Sequence, residues 1–223
     1  YGPGVGIYSV PFQLSLNDNP FGNHLLSEKI ASGSVVSLKG LRYDAYFLHS
    51  HPQFYPDEHP PKQQQVTGYP HLDSNSLWKI IKYDIWAQNS HNISEYIFDN
   101  DLIILQHIKT GRNLHSHREK APISTKTYQV SCYGKNGVGD KNDVWRIKII
   151  GKKTFYSGIT TITSRFKLVH AVIGCELMES GETLPHWYSL KNILGDIITG
   201  KLYAIIKKII FGVAGHLLQI NTL

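Results

Sequence analysis

A motif with two imidazoles, Leu-His-Ser-His, occurs twice in the chain, at residues 48–51 and 114–117. Imidazole binds metals, titrates near neutral pH, and both donates and accepts hydrogen bonds. On a strand, alternate side chains share a face, so the two His of a motif fall on one side and the Leu and Ser on the other. With leucine facing the core, the motif predicts outward imidazoles at His49, His51, His115 and His117.

Three kinds of chemistry are open to such a motif. A zinc site needs three or four ligands, and no Cys or carboxylate recurs beside the motif, so no metal is expected. A serine nucleophile needs an imidazole within reach, but strand alternation points Ser50 and Ser116 away from their neighbours, so no catalytic residue is predicted. The remaining uses are hydrogen bonds to a loop of the same repeat or contacts with a hydroxyl-rich ligand. The pattern favours neither over the other.

The motif belongs to a larger repeat. A short apolar run precedes each copy, and a Gln-Val step, a tyrosine and a polar turn ending in tryptophan follow it. The two motifs start 66 residues apart and the closing tryptophans, Trp78 and Trp145, are 67 apart, which indicates structural repeats. A third copy begins at Arg165, but Met178, Glu179 and Ser180 replace its His-Ser-His, and no closing tryptophan follows Trp187.

Repeats of about 65 residues, each with several short Val/Ile/Leu/Tyr runs, indicate an all-β fold. One such unit cannot bury its apolar face alone, and three packed around an axis can; a propeller blade would be shorter, at about 40–45 residues. We therefore predict a β-trefoil whose third repeat is truncated, with each closing tryptophan in the core. The predicted trefoil covers residues 33–187, in units of about 33–99, 100–164 and an incomplete 165–187.

Two segments flank the trefoil. Residues 1–32 are predicted to be a lead-in that docks on the domain. In residues 188–223 the apolar positions recur at three- and four-residue steps, so this divergent tail is predicted to form an amphipathic helix from about 190 to 218. The helix should cover the gap left by the missing strands. Because Tyr1 is not a start methionine, we expect the chain to be a piece of a longer protein.

The composition limits the classes of protein to which the chain can belong. With 41% hydrophobic and 18% charged residues, the 223-residue chain is a folded domain. Its net charge is +6, but the cations are scattered and not gathered on a face or in a run, so no nucleic-acid partner is predicted. The only two cysteines, Cys132 and Cys175, are read as buried thiols, with pairing left open. Asn92 begins an Asn-Ile-Ser glycosylation acceptor sequence.

The repeated residues resemble the MIR domain, and more closely the lumenal MIR region of the protein O-mannosyltransferase family, second-subunit animal type. The resemblance covers residues 1 to about 187. It is carried by Gly2-Pro3-Gly4, Phe12-Gln13, the two Leu-His-Ser-His motifs, Gln63-Gln64-Gln65-Val66-Thr67, Asn75-Ser76-Leu77-Trp78, Thr110-Gly111-Arg112-Asn113, Tyr128-Gln129-Val130, Gly139-Asp140, Asn142-Asp143, Trp145-Arg146-Ile147, Gly174-Cys175, Leu184-Pro185 and Trp187.

The resemblance implies a β-trefoil in a lumenal loop of an endoplasmic-reticulum membrane enzyme. Such an enzyme moves mannose from dolichyl-phosphate mannose to Ser or Thr of acceptor proteins and pairs with a second mannosyltransferase subunit. The family's catalytic acidic residues belong to an earlier loop that nothing in this chain matches, and this stretch lacks the membrane spans. Whether the chain itself belongs to an enzyme is therefore left open, and no cofactor is expected within the stretch.

The resemblance leaves two functions. The first is a non-catalytic module that binds acceptor polypeptide or O-mannosyl glycan, with His49, His51, Arg112, His115 and His117 as candidate contacts. The second is a free-standing MIR protein of the endoplasmic-reticulum lumen that acts in folding quality control. A retrieval tetrapeptide at the C-terminus would favour the second, whereas the chain ends Ile-Asn-Thr-Leu.

Overall fold

The computed structural model describes twelve strands and two short 3-10 turns. The described residues are 5–9, 29–40, 46–55, 57–58, 60–83, 95–122, 126–150, 164–183 and 216–221, of which 5–9, 179–183 and 216–221 are described by backbone only. The strands are β1 (Val5–Ser9), β2 (Val35–Gly40), β3 (Phe47–Phe54), β4 (Gln64–Tyr69), β5 (Trp78–Lys82), β6 (Leu102–His107), β7 (Asn113–Lys120), β8 (Thr127–Tyr133), β9 (Trp145–Ile149), β10 (Arg165–His170), β11 (Glu176–Thr183) and β12 (His216–Asn221).

The strands form a closed ring and three further antiparallel strand pairs. The ring runs β1–β2–β5–β6–β9–β10 and closes where β10 pairs with β1; every pairing is antiparallel. The further pairs are the hairpins β3–β4 and β7–β8 and the pair β11–β12, and their second strands pair with one another. Closure leaves the ring without an open edge. The predicted all-β trefoil is confirmed, and the unit bounds stay a prediction.

The core is formed by inward positions of the ring strands and of the hairpin strands, such as Leu48 and Leu114. Trp78 and Trp145 are fully buried there, as the sequence predicted for the closing tryptophans. Each indole N–H also reaches into the motif of its own repeat: Trp78 Nε1 donates to the Leu48 carbonyl and Trp145 Nε1 to the Leu114 carbonyl, both at 2.9 Å. The tryptophans therefore fix the motif strands to the barrel with a satisfied hydrogen bond.

The third unit takes two strands from distant parts of the chain. β10 and β11 follow each other in sequence, β1 comes from the predicted lead-in, and β12 comes from the tail. The predicted helix covered residues 190–218; here 216–218 lie in β12, and 190–215 are outside the described residues. The physical reason for the difference is that a strand beside β11 satisfies backbone donors and acceptors that a helix leaves open.

The two cysteines are free and buried, in agreement with the reading as thiols. Burial raises the pKa of Cys132 to about 12, so this thiol is not a nucleophile at neutral pH. Asn92, the predicted glycosylation acceptor, lies outside the described residues. In the part of the chain described here, no helix is long and apolar enough to span a membrane.

Candidate functional site

The two Leu-His-Ser-His motifs occupy the same place in β3 and β7. His49 pairs with Thr67 across the first hairpin, and His115 pairs with Ser131 across the second. The serine hydroxyls donate to backbone carbonyls, Ser50 Oγ to Gln65 O at 2.6 Å and Ser116 Oγ to Gln129 O at 2.8 Å. The serines therefore hold the hairpins together, as expected from their orientation away from the imidazoles.

The prediction that all four imidazoles point outward is wrong for the first His of each motif. His49 is 8% exposed and His115 is 2% exposed, because a tyrosine ring and a polar turn cover each of them. Tyr69 lies on His49 with ring centroids 4.7 Å apart, and Tyr133 lies on His115 at 4.9 Å. Strand alternation gave the correct face of the strand, but it carries no information about what covers that face.

The unit 2 cluster consists of His115, His117, Tyr133, Asp140 and Asp143. His115 Nδ1 lies 2.7 Å from Asp143 Oδ1, and both side chains are almost fully buried. The second carboxylate oxygen, Asp143 Oδ2, accepts from the backbone N–H of Asp140 at 3.0 Å. Asp143 therefore joins the motif strand to the polar turn, with its charge satisfied by hydrogen bonds.

Asn113 and Gly139 complete the surroundings of Asp143. Asn113 Nδ2 donates to Asp143 Oδ2 at 3.0 Å and to the Gly137 carbonyl at 3.0 Å. A Cβ at position 139 would collide with the Asp143 carboxylate, so glycine is required there by close packing. These contacts enclose the Asp143 carboxylate within the cluster.

The unit 1 cluster consists of His49, His51, Tyr69 and Asp73. His49 Nε2 lies 3.5 Å from Asp73 Oδ1, and the Asp73 side chain is 38% exposed. The other ring nitrogen, Nδ1, lies 3.4 Å from the Thr67 hydroxyl. Both contacts are longer than the 2.7 Å bond of the unit 2 cluster, so the unit 1 cluster is the looser of the two.

The second His of each motif is half-exposed. His51 packs against His49 with ring centroids 5.5 Å apart, and His117 packs against His115 at 5.3 Å. His51 Nε2 bonds Gln53 Oε1 at 2.6 Å. In both rings Nδ1 has no hydrogen-bond partner. These two imidazoles are the parts of the motifs that face outward.

Burial keeps the first imidazole of unit 1 neutral. Desolvation lowers the pKa of His49 to about 4, although the Asp73 carboxylate acts in the opposite direction. Burial tends to raise the pKa of Asp73, but His49 and the Asn75 N–H outweigh it, and the pKa falls below its usual value. At neutral pH the His49–Asp73 contact is therefore a neutral imidazole beside a carboxylate. Desolvation also lowers the pKa of His51 and His117.

Two further histidines form a second repeat-related pair that the sequence reading missed. His107 ends β6 and packs on Trp78 with ring centroids 5.0 Å apart, and His170 ends β10 and packs on Trp145 at 4.8 Å. Their Nε2 atoms meet the carbonyls of Asn75 and Asn142 at 3.0 and 2.8 Å. The signal was present in the sequence, because the two His are 63 residues apart and each precedes a glycine by four residues.

Arg112, the fifth candidate contact, belongs to neither His cluster. Its guanidinium carbon lies 5.3 Å from the centroid of the Phe54 ring, and its Nη1 donates to the Gly134 carbonyl at 3.3 Å. Phe54 ends β3, so Arg112 lies where the first hairpin meets the β6–β7 turn. The five candidate contacts therefore lie at three places: the unit 1 cluster, the unit 2 cluster and the junction that holds Arg112.

A carboxylate–imidazole group in unit 2 has the residue types of a metal site. Ligand atoms of His115, Asp140 and Asp143 all lie within 4.8 Å of one another. The Asp143 oxygens, however, already accept hydrogen bonds from His115, Asn113 and the Asp140 N–H. The group is satisfied as a hydrogen-bond network, and its chemistry is structural support of the turn.

Comparison with known proteins agrees with this geometry. The MIR domain family model matches residues 42–199. The chain is 40% identical over 189 residues to protein O-mannosyl-transferase 2 of Danio rerio, which covers 83% of the chain and 24% of that protein. It is 40% identical over 186 residues to the protein of the same name in Drosophila melanogaster, again covering 83% of the chain and 24% of that protein. The chain thus spans about a quarter of the length of these relatives.

Solved structures share the fold. The S. cerevisiae protein O-mannosyltransferase Pmt1-Pmt2 complex bound to the sugar donor aligns with a TM-score of 0.66 and 28% identity, covering 90% of this chain and 25% of that chain. The SDF2-like protein from Arabidopsis thaliana aligns with a TM-score of 0.62 and 28% identity, covering 72% and 83%. A Caenorhabditis elegans protein of unknown function aligns with a TM-score of 0.63 and 27% identity, covering 87% and 89%. With its matching family model, repeated motifs and trefoil geometry, the chain belongs to the MIR domain family.

Proposed function

We propose that this chain is the non-catalytic lumenal MIR module of a dolichyl-phosphate-mannose–protein O-mannosyltransferase. The observation that carries the proposal is the 40% identity to protein O-mannosyl-transferase 2 proteins, which extends over 83% of the chain. The site agrees with a non-catalytic role, since the motif serines bond carbonyl oxygens and the buried imidazoles bond carboxylates of their own turns. These residues support binding and fold, and none of them is arranged as a nucleophile with a base.

The relatives suggest the setting in which the module works. The solved O-mannosyltransferase is a complex of two such proteins bound to a sugar donor. By analogy, the parent enzyme of this chain pairs with a second mannosyltransferase subunit in the endoplasmic-reticulum membrane and uses dolichyl-phosphate mannose. The module then lies on the lumenal side, where acceptor proteins and O-mannosyl glycans are available.

The two outward imidazoles support a role in glycan or polypeptide binding. His51 and His117 occupy equivalent positions on two hairpins, and each ring is half-buried, with one edge toward solvent. A neutral imidazole offers one donor and one acceptor, which suits hydroxyl groups of a sugar or of Ser and Thr. His49 and His115 serve this face indirectly, by packing beneath the outer rings.

Titration with sugars and peptides tests the binding role. The chain should bind an α-mannoside or an O-mannosylated peptide weakly, and His51→Ala with His117→Ala should reduce that affinity several-fold. Lys135→Ala, at an exposed position close to the unit 2 cluster, is the control and should leave the affinity unchanged. A measurable affinity that survives loss of both imidazoles would assign His51 and His117 to structure alone.

A free-standing MIR protein of the lumen, acting in folding quality control, is the second candidate. One observation favours it: this chain covers 83% of the SDF2-like protein and 89% of the Caenorhabditis elegans protein, against a quarter of the transferase chain. A chimaera separates the two functions. When this chain replaces the corresponding region of Drosophila melanogaster protein O-mannosyl-transferase 2, acceptor mannosylation should be retained. Loss of mannosylation in a stably expressed chimaera would favour the free-standing protein.

A further inference from the structure

A pocket of about 370 Å³ lies where the first hairpin meets the β6–β7 turn. It lies next to His51 of the unit 1 cluster, since Pro52 follows His51 in the chain, and it is lined by Pro52, Phe54, Gln64, Lys109, Thr110 and Arg112. Its volume is at the small end of the range for ligand pockets, about 300–1,000 Å³, and suits a single sugar ring.

Two cations line this pocket, and no carboxylate does. A guanidinium has five N–H donors, and among the described residues only the Gly134 carbonyl accepts from Arg112. Lys109 makes no ion pair within the described part of the chain. The planar donor fork of Arg112 matches carboxylate and phosphate oxygens, and Lys109 adds a second positive charge. The pocket therefore favours an anionic group.

The floor of the pocket is held rigid by a hydrogen-bond chain between units 1 and 2. Gln64 is fully buried, and its Nε2 donates to Ser50 Oγ at 2.7 Å and to Thr110 Oγ1 at 3.0 Å. Thr110 in turn bonds His107 Nδ1 at 2.8 Å. Gln64 Oε1 is enclosed and has no hydrogen-bond partner, so the Thr110 hydroxyl is the uncharged polar group of this chain that the pocket lining presents.

An aromatic surface stands beside the cations. Phe54 is 46% exposed while Arg112 lies over its ring, so the pocket combines an aromatic side chain, an anion-binding fork and the Thr110 hydroxyl. A sugar ring that bears a carboxylate or a phosphate presents all three complementary features. A neutral sugar leaves both cations unpaired, and a free anion leaves Thr110 and Phe54 unused.

The equivalent junction between units 2 and 3 shows that the fold does not require cations in this turn. There Val172, Ile173 and Cys175 stand in place of Lys109, Thr110 and Arg112. The turn geometry is nonetheless the same: His107 N donates to Arg112 O at 2.7 Å and His170 N to Cys175 O at 2.9 Å. The cations of the first junction are therefore an addition to a turn that forms without them.

We propose that this junction pocket binds an anionic monosaccharide, such as a sugar phosphate or a uronate, with Arg112 holding the anion and Lys109 assisting it. Neither His51 nor His117, the imidazoles proposed above to bind neutral glycan, lines this pocket. The two proposals fail independently, because Arg112→Gln tests this pocket while both imidazoles stay in place.

Calorimetric titration of the 223-residue chain tests the proposal, with mannose 6-phosphate and glucuronate as probes and mannose and inorganic phosphate for comparison. Both anionic sugars should bind more tightly than mannose and than phosphate, and their affinity should fall as salt is raised. Arg112→Gln should weaken their binding about tenfold or more, since hydrogen bonds to charged groups are the strong ones. Lys109→Gln should weaken it less, and Lys141→Gln, which removes an exposed cation elsewhere, should not weaken it.

An NMR titration of the original chain gives a second measurement, the chemical shifts of backbone and side-chain amides, which does not depend on the stability of a variant. Mannose 6-phosphate should shift the Gln64 side-chain amide and the Thr110 amide. Equal binding of mannose and mannose 6-phosphate, or shifts confined to other regions, would overturn the proposal. Inorganic phosphate binding as tightly as the sugar phosphate would show an anion site without sugar selection, and preference for an acidic peptide would assign the pocket to polypeptide; both results overturn it.

Discussion

The unit 1 and unit 2 clusters start from the same motif and differ in how they are anchored. In unit 2 the buried Asp143 bonds His115 at 2.7 Å, whereas in unit 1 the equivalent position is Ser76, whose hydroxyl donates to Asp73 Oδ1 at 3.3 Å. His49 instead lies 3.5 Å from Asp73, the more exposed residue that begins the turn. The two clusters therefore differ in one carboxylate. Unit 2 has Asp143, three residues after the aspartate that begins the turn, and unit 1 has no carboxylate at that position, so its contacts are looser.

The same difference explains the residue that precedes each turn. Gly139 in unit 2 leaves room for the Asp143 carboxylate, and Leu72 holds the equivalent position in unit 1, where it is 45% exposed. Because Ser76 needs no such room, unit 1 accepts a large side chain there. Repeats with one backbone geometry have thus specialised through a few coupled substitutions. Unit 2 holds its buried imidazole through a short contact with a buried carboxylate, and unit 1 holds its own through longer contacts with a partly exposed one.

Among the changes that test this comparison, replacing Asp143 should have the largest effect on the free energy of unfolding. In Asp143→Asn an amide NH₂ faces at least one of the donors from His115, Asn113 and the Asp140 N–H, which leaves buried donors unpaired. We expect the free energy of unfolding to fall by about 3 kcal/mol, measured by urea denaturation. Asp73→Asn is the matched change in unit 1 and should cost at most about 1 kcal/mol, since its carboxylate is partly exposed. Equal losses for the two variants would remove the distinction between the clusters.

Adding one methyl group at Gly139 should have the next largest effect. The new Cβ in Gly139→Ala would collide with the Asp143 carboxylate and crowd Asn113 Nδ2, so overpacking should cost about 2 kcal/mol in the same unfolding measurement. The matched position in unit 1 provides the control. Leu72→Ala should change stability by no more than about 0.5 kcal/mol, because that side chain is largely exposed. A neutral Gly139→Ala would show that the turn yields easily and that Asp143 is not tightly held.

Much of the fold could be predicted from the repeats, because period and strand pattern are local signals. The spacing of Trp78 and Trp145 predicted both the trefoil and the burial of the two indoles. The origin of β12 and β1 could not be predicted in this way, since the third unit lacks the repeated residues that mark those strands. Pairing between β11 and residues 216–221 depends on contacts far apart in sequence, which periodicity does not report.

The sequence predicted which residues belong to the site, but it did not predict which residues they contact. The motif identified His49, His51, His115 and His117, and alternation gave the face of the strand on which they lie. Burial of the first His of each pair depends on Tyr69, Tyr133 and the polar turns, which pack over the strands only in the folded hairpin. The junction pocket likewise brings Phe54 to Arg112 from different repeats, a contact that no local pattern contains.

The pH dependence of unfolding should give the smallest effect and tests the looser cluster directly. The pKa of His49 is about 4 in the folded chain and near its ordinary 6.5 in the unfolded chain. Between these values the unfolded chain binds the proton and the folded chain does not, so stability falls as pH drops from about 7 toward 4 and is unaffected above that window. This linkage should remove about 1 kcal/mol by pH 5.5.

His49→Gln isolates this contribution from those of the other buried imidazoles. His51, His107, His117 and His170 also have lowered pKa values and are present in both proteins, so the difference between the two stability-versus-pH curves belongs to His49. The variant should lose less stability than the original chain between pH 7 and pH 5.5. Asp73→Asn acts in the opposite sense, because removing the carboxylate that favours the protonated ring lowers the pKa of His49 further and steepens the curve at the acid end. Parallel curves for His49→Gln and the original chain would mean that His49 takes up a proton as readily in the fold as outside it, and the unit 1 cluster would then be as open as a surface site.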